Sequence, residues 1–322
     1  MCASQKKEKA IKPGMHFLLA LIPCLLWGSA ATFIKLGYRC WNIESSNVWS
    51  MVLFSGFRFA LTGVLLILYK SLKEHRFDVP KGKIGWRNAF IICLFTTCLE
   101  YIFNCIGVGN ASGVVASMLN GAGSLFSILF ACSLFKQERM TLQKGIGCLL
   151  SFAGILIMNL NGGHLTFSLM GEGFILIGAI SSGLGTCITK NCSVHDDPVT
   201  LTGWQFLMGS IIMIVLAYAF GGRLVPFSAA GSGYILYLGV ISAVAYGLWN
   251  WLIKMTSVSS VSIFGFLIPI FGVIISAGIL GEWEQVLQIN RLAALVLICI
   301  GIIVVNRKKC IGKQVKVQGN FK

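Results

Sequence analysis

Ten apolar runs, each about as long as the hydrocarbon core of a bilayer requires, dictate what this chain can fold into. They lie near 16–37, 48–69, 88–109, 112–135, 142–160, 169–190, 199–219, 233–253, 258–280 and 286–305 of the 322 residues. About 20 predominantly apolar residues form a helix long enough to span the core, where every backbone polar group must be satisfied internally. The gaps after Gly109 and Ile253 are very short, so a fused pair is the alternative to a count of ten. Composition removes the soluble alternative: 56% of residues are apolar, 11% are charged, and mean hydropathy is +0.81. The longest connection, 70–87, is too short to fold alone. The expected fold is an all-α integral membrane protein.

A net charge of +15 resembles a nucleic-acid signature until the basic residues are placed. Lys6, Lys7, Lys9 and Lys12 precede the first run, six Lys and Arg residues cluster in 70–87, and Lys136, Arg139 and Lys144 follow the fourth run. The alternate loops of this half carry Arg39, with Lys35 nearby. In the second half Lys190 and Lys254 are opposed by Arg223, and the tail 307–322 is basic. The positive-inside rule then puts both termini in the cytoplasm of a multi-pass protein of the cell membrane. The expected partner for these charges is anionic lipid at the cytoplasmic face, and no nucleic acid. A basic start, an apolar stretch 17–27 and the small residues Ser29, Ala30 and Ala31 imitate a signal peptide. Cleavage would leave an odd number of spans with a basic tail on the wrong side, so the first helix is expected to stay. Most of the twelve cysteines fall inside runs and read as small buried hydrophobes.

Internal repetition adds the second constraint. Ser117, Asn120, Ser124, Ser127 and Ala131 of the fourth run advance by three or four residues, and Ser262, Gly265, Pro269, Gly272 and Ser276 of the ninth repeat the steps. Thr96, Glu100 and Asn104 of the third run match Ser242, Tyr246 and Asn250 of the eighth at nearly the same offset, and Gly63 likewise matches Gly209. The chain therefore divides into repeats at 1–160 and 161–322. Each holds five spans, so the second crosses the membrane inverted. Such repeats place a substrate site near the midplane, between the halves.

Several short motifs fall in order on these runs: Trp27-Gly28-Ser29 with Lys35, Arg58-Phe59, Glu138-Arg139, Pro198 with Trp204-Gln205, and Ile268-Pro269-Ile270-Phe271 leading to Gly281-Glu282. With them the whole chain resembles the EamA-type branch of the drug/metabolite transporter (DMT) superfamily. The resemblance implies a ten-helix basket in which helices 1 to 4 and 6 to 9 line a central cavity and helices 5 and 10 are peripheral. It also implies alternating-access transport of a small metabolite, an amino acid or similar polar compound, in the outward direction. No cofactor is expected, and a homodimer is left open. One departure is visible. Helix 4 lacks the proline that usually follows its polar stretch, while helix 9 keeps Pro269, which implies that the two halves do not bend alike at the gate.

Charges inside the runs are expensive and therefore informative. Arg58 and Glu100 lie about 16 Å and about 14 Å from the outer ends of their helices, a matched depth. Either they form a permanent ion pair, or Glu100 meets a substrate cation or titrates during the cycle with protons as coupling ion. Asn104, Asn120 and Asn250 offer amide donors and acceptors to a small zwitterionic or hydroxylated substrate, or else bond across helices. Trp27 and Tyr246 could stack on a planar or cationic group, as could Trp249, for which gate-filling is the plainer reading. The candidate substrate-binding set is Trp27, Thr96, Glu100, Asn104, Asn120, Tyr246 and Asn250; Arg58 and Glu100 are the ion-pair or coupling candidates, and Pro269 the gating one.

Other groups have plainer roles. Trp49, Trp86 and Trp283 sit at span ends, as an aromatic belt does. His195-Asp196-Asp197 has a metal site's composition, but Asp197-Pro198 reads as the cap and first residue of helix 7. Glu138 and Glu282 read as structural, and Gly109, Gly113, Ser117 and Gly121 as a ridge for close helix packing. All four histidines map to ends or loops, and HExxH and GxxxxGK[ST] patterns are absent from the sequence. An enzyme is therefore not expected. A channel-like or lipid-interacting membrane protein remains the rival reading.

Overall fold

The computed structural model describes residues 13–306 except 159, 162, 163, 166, 195, 226 and 257. His195, the four N-terminal lysines and the basic tail lie outside the described residues. Seven helices are long and apolar enough to cross a membrane. With helix ends as observed, they are α1 (Pro13–Cys40), α2 (Val48–Glu74), α3 (Gly82–Asn110), α4 (Gly113–Ser133), α6 (Leu169–Cys192), α7 (Pro198–Ala219) and α8 (Ala229–Met255). Three shorter apolar helical segments complete the order: α5 (Leu142–Met158), α9 (258–280) and α10 (Ile289–Asn306). A two-residue antiparallel pairing, Leu160–Asn161 with His164–Leu165, links α5 to α6.

Polar caps set the breaks that hydropathy left ambiguous. Ser112 Oγ accepts from Val115 N (3.2 Å), which ends any fusion of α3 with α4, and extended backbone at Thr256 terminates α8. Asp197 accepts from Val199 N (3.0 Å) and Thr200 N (3.3 Å) ahead of Pro198 at the first helical position, so the acidic pair after His195 starts a helix. Asp197→Ala is expected to lower stability by about 1 kcal/mol, with Asp197→Asn close to wild type, as read from thermal melts in detergent.

The packing pattern survives exchange of the first five helices for the last five. Contacts of α1 with α8 and α9 are matched by those of α6 with α3 and α4, and α2 on α8 by α7 on α3, while α2–α7, α4–α9 and α5–α10 map onto themselves. The periodic small faces of α4 and α9 meet in antiparallel register. Ser127 touches Ser262 (Oγ–Oγ 3.1 Å), Ser124 faces Gly265, Gly121 faces Pro269, and Ser117 meets Gly272 and Ser276. Close approach of the two backbones is what those residues permit. Gly109, read from sequence as part of the same ridge, packs instead on Met51 of α2. Pro269 thus lies in this seam, and α4 is interrupted at Gly121 directly opposite it. α5 and α10 bury their small faces chiefly on each other, with Ser151 donating to Ile298 O (3.2 Å).

Candidate functional site

Eight helices enclose a cavity of about 120 Å³, to which α5 and α10 contribute no residue. It reaches Thr189, Asn250 and Ser262, about one turn from the ends of α6, α8 and α9 that lie beside Lys190 and Lys254. At the other end it stops at Ile34, Asn104 and Asn120, about two turns short. Hydroxyl contacts close that end: Thr32 to Ser276 (2.7 Å), Ser276 to Ser117 (3.4 Å), and Tyr38 Oη donating to Cys105 O (3.2 Å).

Trp27, Arg58, Thr96, Glu100, Asn104, Asn120, Tyr246 and Asn250 all line this one cavity, whereas Pro269 does not. Glu100 and Tyr246, matched positions of the two repeats, meet directly: Tyr246 Oη donates to Glu100 Oε1 (3.2 Å) and also contacts Tyr101 Oη. Among the described residues Glu100 Oε2 accepts no hydrogen bond of normal geometry, with the Ser182 hydroxyl beside the carboxyl. Arg58, 3% exposed, lies over the rings of Phe59 (4.2 Å) and Tyr101 (5.2 Å), and its Nε and Nη1 are also unpartnered. The ion pairs among the described residues join other groups, so in this conformation Arg58 and Glu100 form no direct bridge. A buried guanidinium and a buried ionisable carboxyl thus face one small space, each with an atom that makes no hydrogen bond. That arrangement is costly unless something else enters to satisfy it.

The amides bond across helices and also line the cavity. Asn104 Nδ2 donates to Asn120 Oδ1 (2.6 Å) and Asn250 Nδ2 to Thr202 Oγ1 (2.8 Å), bonds that tie helices together. Those are the side-chain bonds the three amides make among the described residues. Trp27 packs edge-on against Tyr246 (4.9 Å) and Trp249 (5.0 Å), with its Nε1 unpartnered.

Gln205, Tyr101, Ser182 and Thr186 also line the cavity and were missed as site residues by sequence reasoning. A π-helical turn at Leu94–Leu99 brings the adjacent Thr96 and Thr97 hydroxyls onto the same acceptor, Gln205 Oε1, each at 2.6 Å. Gln205 was visible as part of a motif, but the repeat offset pairs it with Phe59 and so gave no polar match. Ser182 and Thr186 stand at i and i+4 on α6, the same periodic signal that found the face of α3, and could have been read.

Three acidic groups outside the cavity bond to the scaffold. Glu282 accepts from Gly113 N (3.1 Å) and Val114 N (2.9 Å) at the start of α4. Glu138 pairs with Lys144 (2.7 Å), and Asp196 accepts from Lys81 N (3.0 Å), docking the 70–87 connection onto the start of α7.

The EamA-like transporter family matches this chain over residues 14–160 and 169–307. An uncharacterized transporter of Archaeoglobus fulgidus is 26% identical, covering 83% of this chain and 89% of that protein. WAT1-related protein At3g02690, chloroplastic, of Arabidopsis thaliana is 25% identical over 90% of this chain and 69% of its own length. The uncharacterized inner membrane transporter YedA of Escherichia coli K12 is 24% identical over 80% of each chain. A solved crystal structure at 16% identity shares the fold, with a TM-score of 0.65 over 91% of this chain and 96% of that one. Two family matches in tandem, on a multi-pass membrane chain whose halves pack alike, leave one assignment: the chain belongs to the EamA-like transporter family.

Proposed function

We propose that the chain is a secondary carrier of the cell membrane that moves a small zwitterionic metabolite, an amino acid or similar polar compound, by alternating access. The three shorter apolar helices complete ten spans in two inverted repeats, with both termini cytoplasmic. One observation carries the substrate reading: Arg58 and the ionisable carboxyl of Glu100 line the same cavity without bridging each other. A carboxylate on Arg58 and an ammonium near Glu100, beside the Trp27–Tyr246 corner, would satisfy both. The cavity is well below the roughly 300–1,000 Å³ of drug-sized sites. It reaches toward the lysine-bearing ends and is closed at the other, so a substrate loads from the cytoplasm, as export requires. That closure also favours a carrier over a channel.

Saturable counterflow in proteoliposomes is the expected result, and unsaturable flux would favour a channel instead. A thermal-shift screen of amino acids, purines, organic acids and lipophilic cations identifies the cargo. A binder at 100 times its Kd stabilises the protein by about 2.7 kcal/mol, and zwitterions are expected to exceed the singly charged compounds.

A further inference from the structure

Arg223, like Arg39 of the first half, runs against the charge pattern, lying in the α7–α8 connection at the opposite ends of those helices from Lys190 and Lys254. Its backbone is fixed to α2 by a reciprocal pair, Arg223 N donating to Ser50 Oγ (2.9 Å) and Ser50 Oγ donating to Arg223 O (2.8 Å). The exposed side chain lines an open-sided groove of about 670 Å³ between α1, α2, α7 and α8. Trp41, Phe57, Tyr218, Leu224 and Ile235 supply apolar wall, and no acidic residue lines the groove. Gly231 lets Trp41 lie close on α8, since a Cβ there would fall 2.1 Å from the indole nitrogen. Phe57 stands seven residues beyond Ser50 on α2, so the wall extends about 10 Å inward from the level of Arg223. Tyr218 is 56% exposed and Phe57 36% exposed, on helices whose outward faces meet lipid.

We infer that this groove binds one anionic phospholipid at the helix ends remote from Lys190 and Lys254, its phosphate on Arg223 and an acyl chain along Phe57, Tyr218 and Ile235. The guanidinium fork suits phosphate oxygens and is the groove's only full charge. A zwitterionic phospholipid would bring an ammonium of its own beside Arg223, with no acidic residue in the groove lining to receive it, and a free phosphate would leave the apolar wall uncovered. The site is separate from the central cavity. Phe57 faces the groove while the next residue, Arg58, faces the cavity, so α2 lies between them.

The test is photo-crosslinking of the intact protein in nanodiscs with a phosphatidylglycerol carrying a diazirine in one acyl chain, followed by peptide mapping. Label is expected on the segments containing Phe57 and 218–225, removed by excess unlabelled phosphatidylglycerol but not by phosphatidylcholine. Arg223→Gln is expected to reduce that label at least fivefold while label near the basic 70–87 connection is unchanged. Label indifferent to head group or to Arg223→Gln overturns the proposal, as does its absence from these segments. Competition by glycerol 3-phosphate at the same concentration also overturns it, in favour of a free-anion site.

Discussion

Glu100→Gln is expected to reduce counterflow by between about 30-fold and several thousand-fold, and to flatten whatever pH dependence transport by the wild-type protein shows. The magnitude follows from removing one charge of a buried, desolvated contact, which costs about 2–5 kcal/mol, with tenfold for every 1.4 kcal/mol. Gln keeps an acceptor for the Tyr246 hydroxyl but carries no ionisable proton, so the wall of the cavity is preserved while the charge is lost. The groups that face Glu100 are Tyr101 on its own helix, Arg58 from α2, Ser182 from α6 and Tyr246 from α8. Of these only Arg58 carries a charge, and it rests on the rings of Phe59 and Tyr101 without bridging the carboxylate. The expected effects therefore separate. A lower rate with an unchanged pH profile means that Glu100 meets a substrate cation and carries no coupling proton. A lower rate with a flattened profile supports proton coupling. Unchanged rate and profile together remove Glu100 from the mechanism. Arg58→Gln alone and with Glu100→Gln completes a double-mutant cycle, and strong non-additivity would place the two side chains in contact at another stage of transport.

How much of this site could be read in advance depended on which physical rule each residue obeys. The stripe Thr96, Glu100, Asn104 was legible because polar groups at i, i+4 and i+8 in an apolar helix must share a protected face, and its repeat on Ser242, Tyr246 and Asn250 pointed to the same space. The separation of Arg58 from Glu100 was not legible. Counting residues along two helices gives depth but not rotation, and rotation decided that Arg58 would lie over aromatic rings. Gln205 escaped because its repeat partner is Phe59, and the shared orientation of Thr96 and Thr97 escaped because a π-helical turn breaks the period on which the reading rested. The short gap after Gly109 was ambiguous to hydropathy, yet Ser112 was a cap in plain view. The span-end acids read as structural from position alone, and that Glu282 would reach the first amides of α4, 169 residues away, required the fold.

The other large effect lies in the α4–α9 seam. Gly272→Ala is expected to destabilise the protein by about 3 kcal/mol, the upper part of the range for overpacking. An added Cβ would fall 2.5 Å from Ser117 Cβ and 3.0 Å from Gly28 O, so the new methyl meets backbone of α1 as well as a side chain of α4. Gly28 is held as tightly in return, its own added Cβ falling 2.8 Å from Phe271 Cβ. Three backbones converge there, and no rotamer change can make room. Ser117→Gly is expected to restore part of the loss, because it removes the nearest obstacle while leaving the Gly28 carbonyl in place. Thermal melts of the single and double variants measure this directly, and counterflow on the same samples adds a second reading. If transport requires α4 and α9 to shift along this seam, the variant loses rate beyond its loss of folded protein, and Ser117→Gly recovers both together. A Gly272→Ala protein as stable as wild type would mean that the helices do not approach as closely as their small faces allow. The inverted-repeat account of the carrier would then lose its central contact.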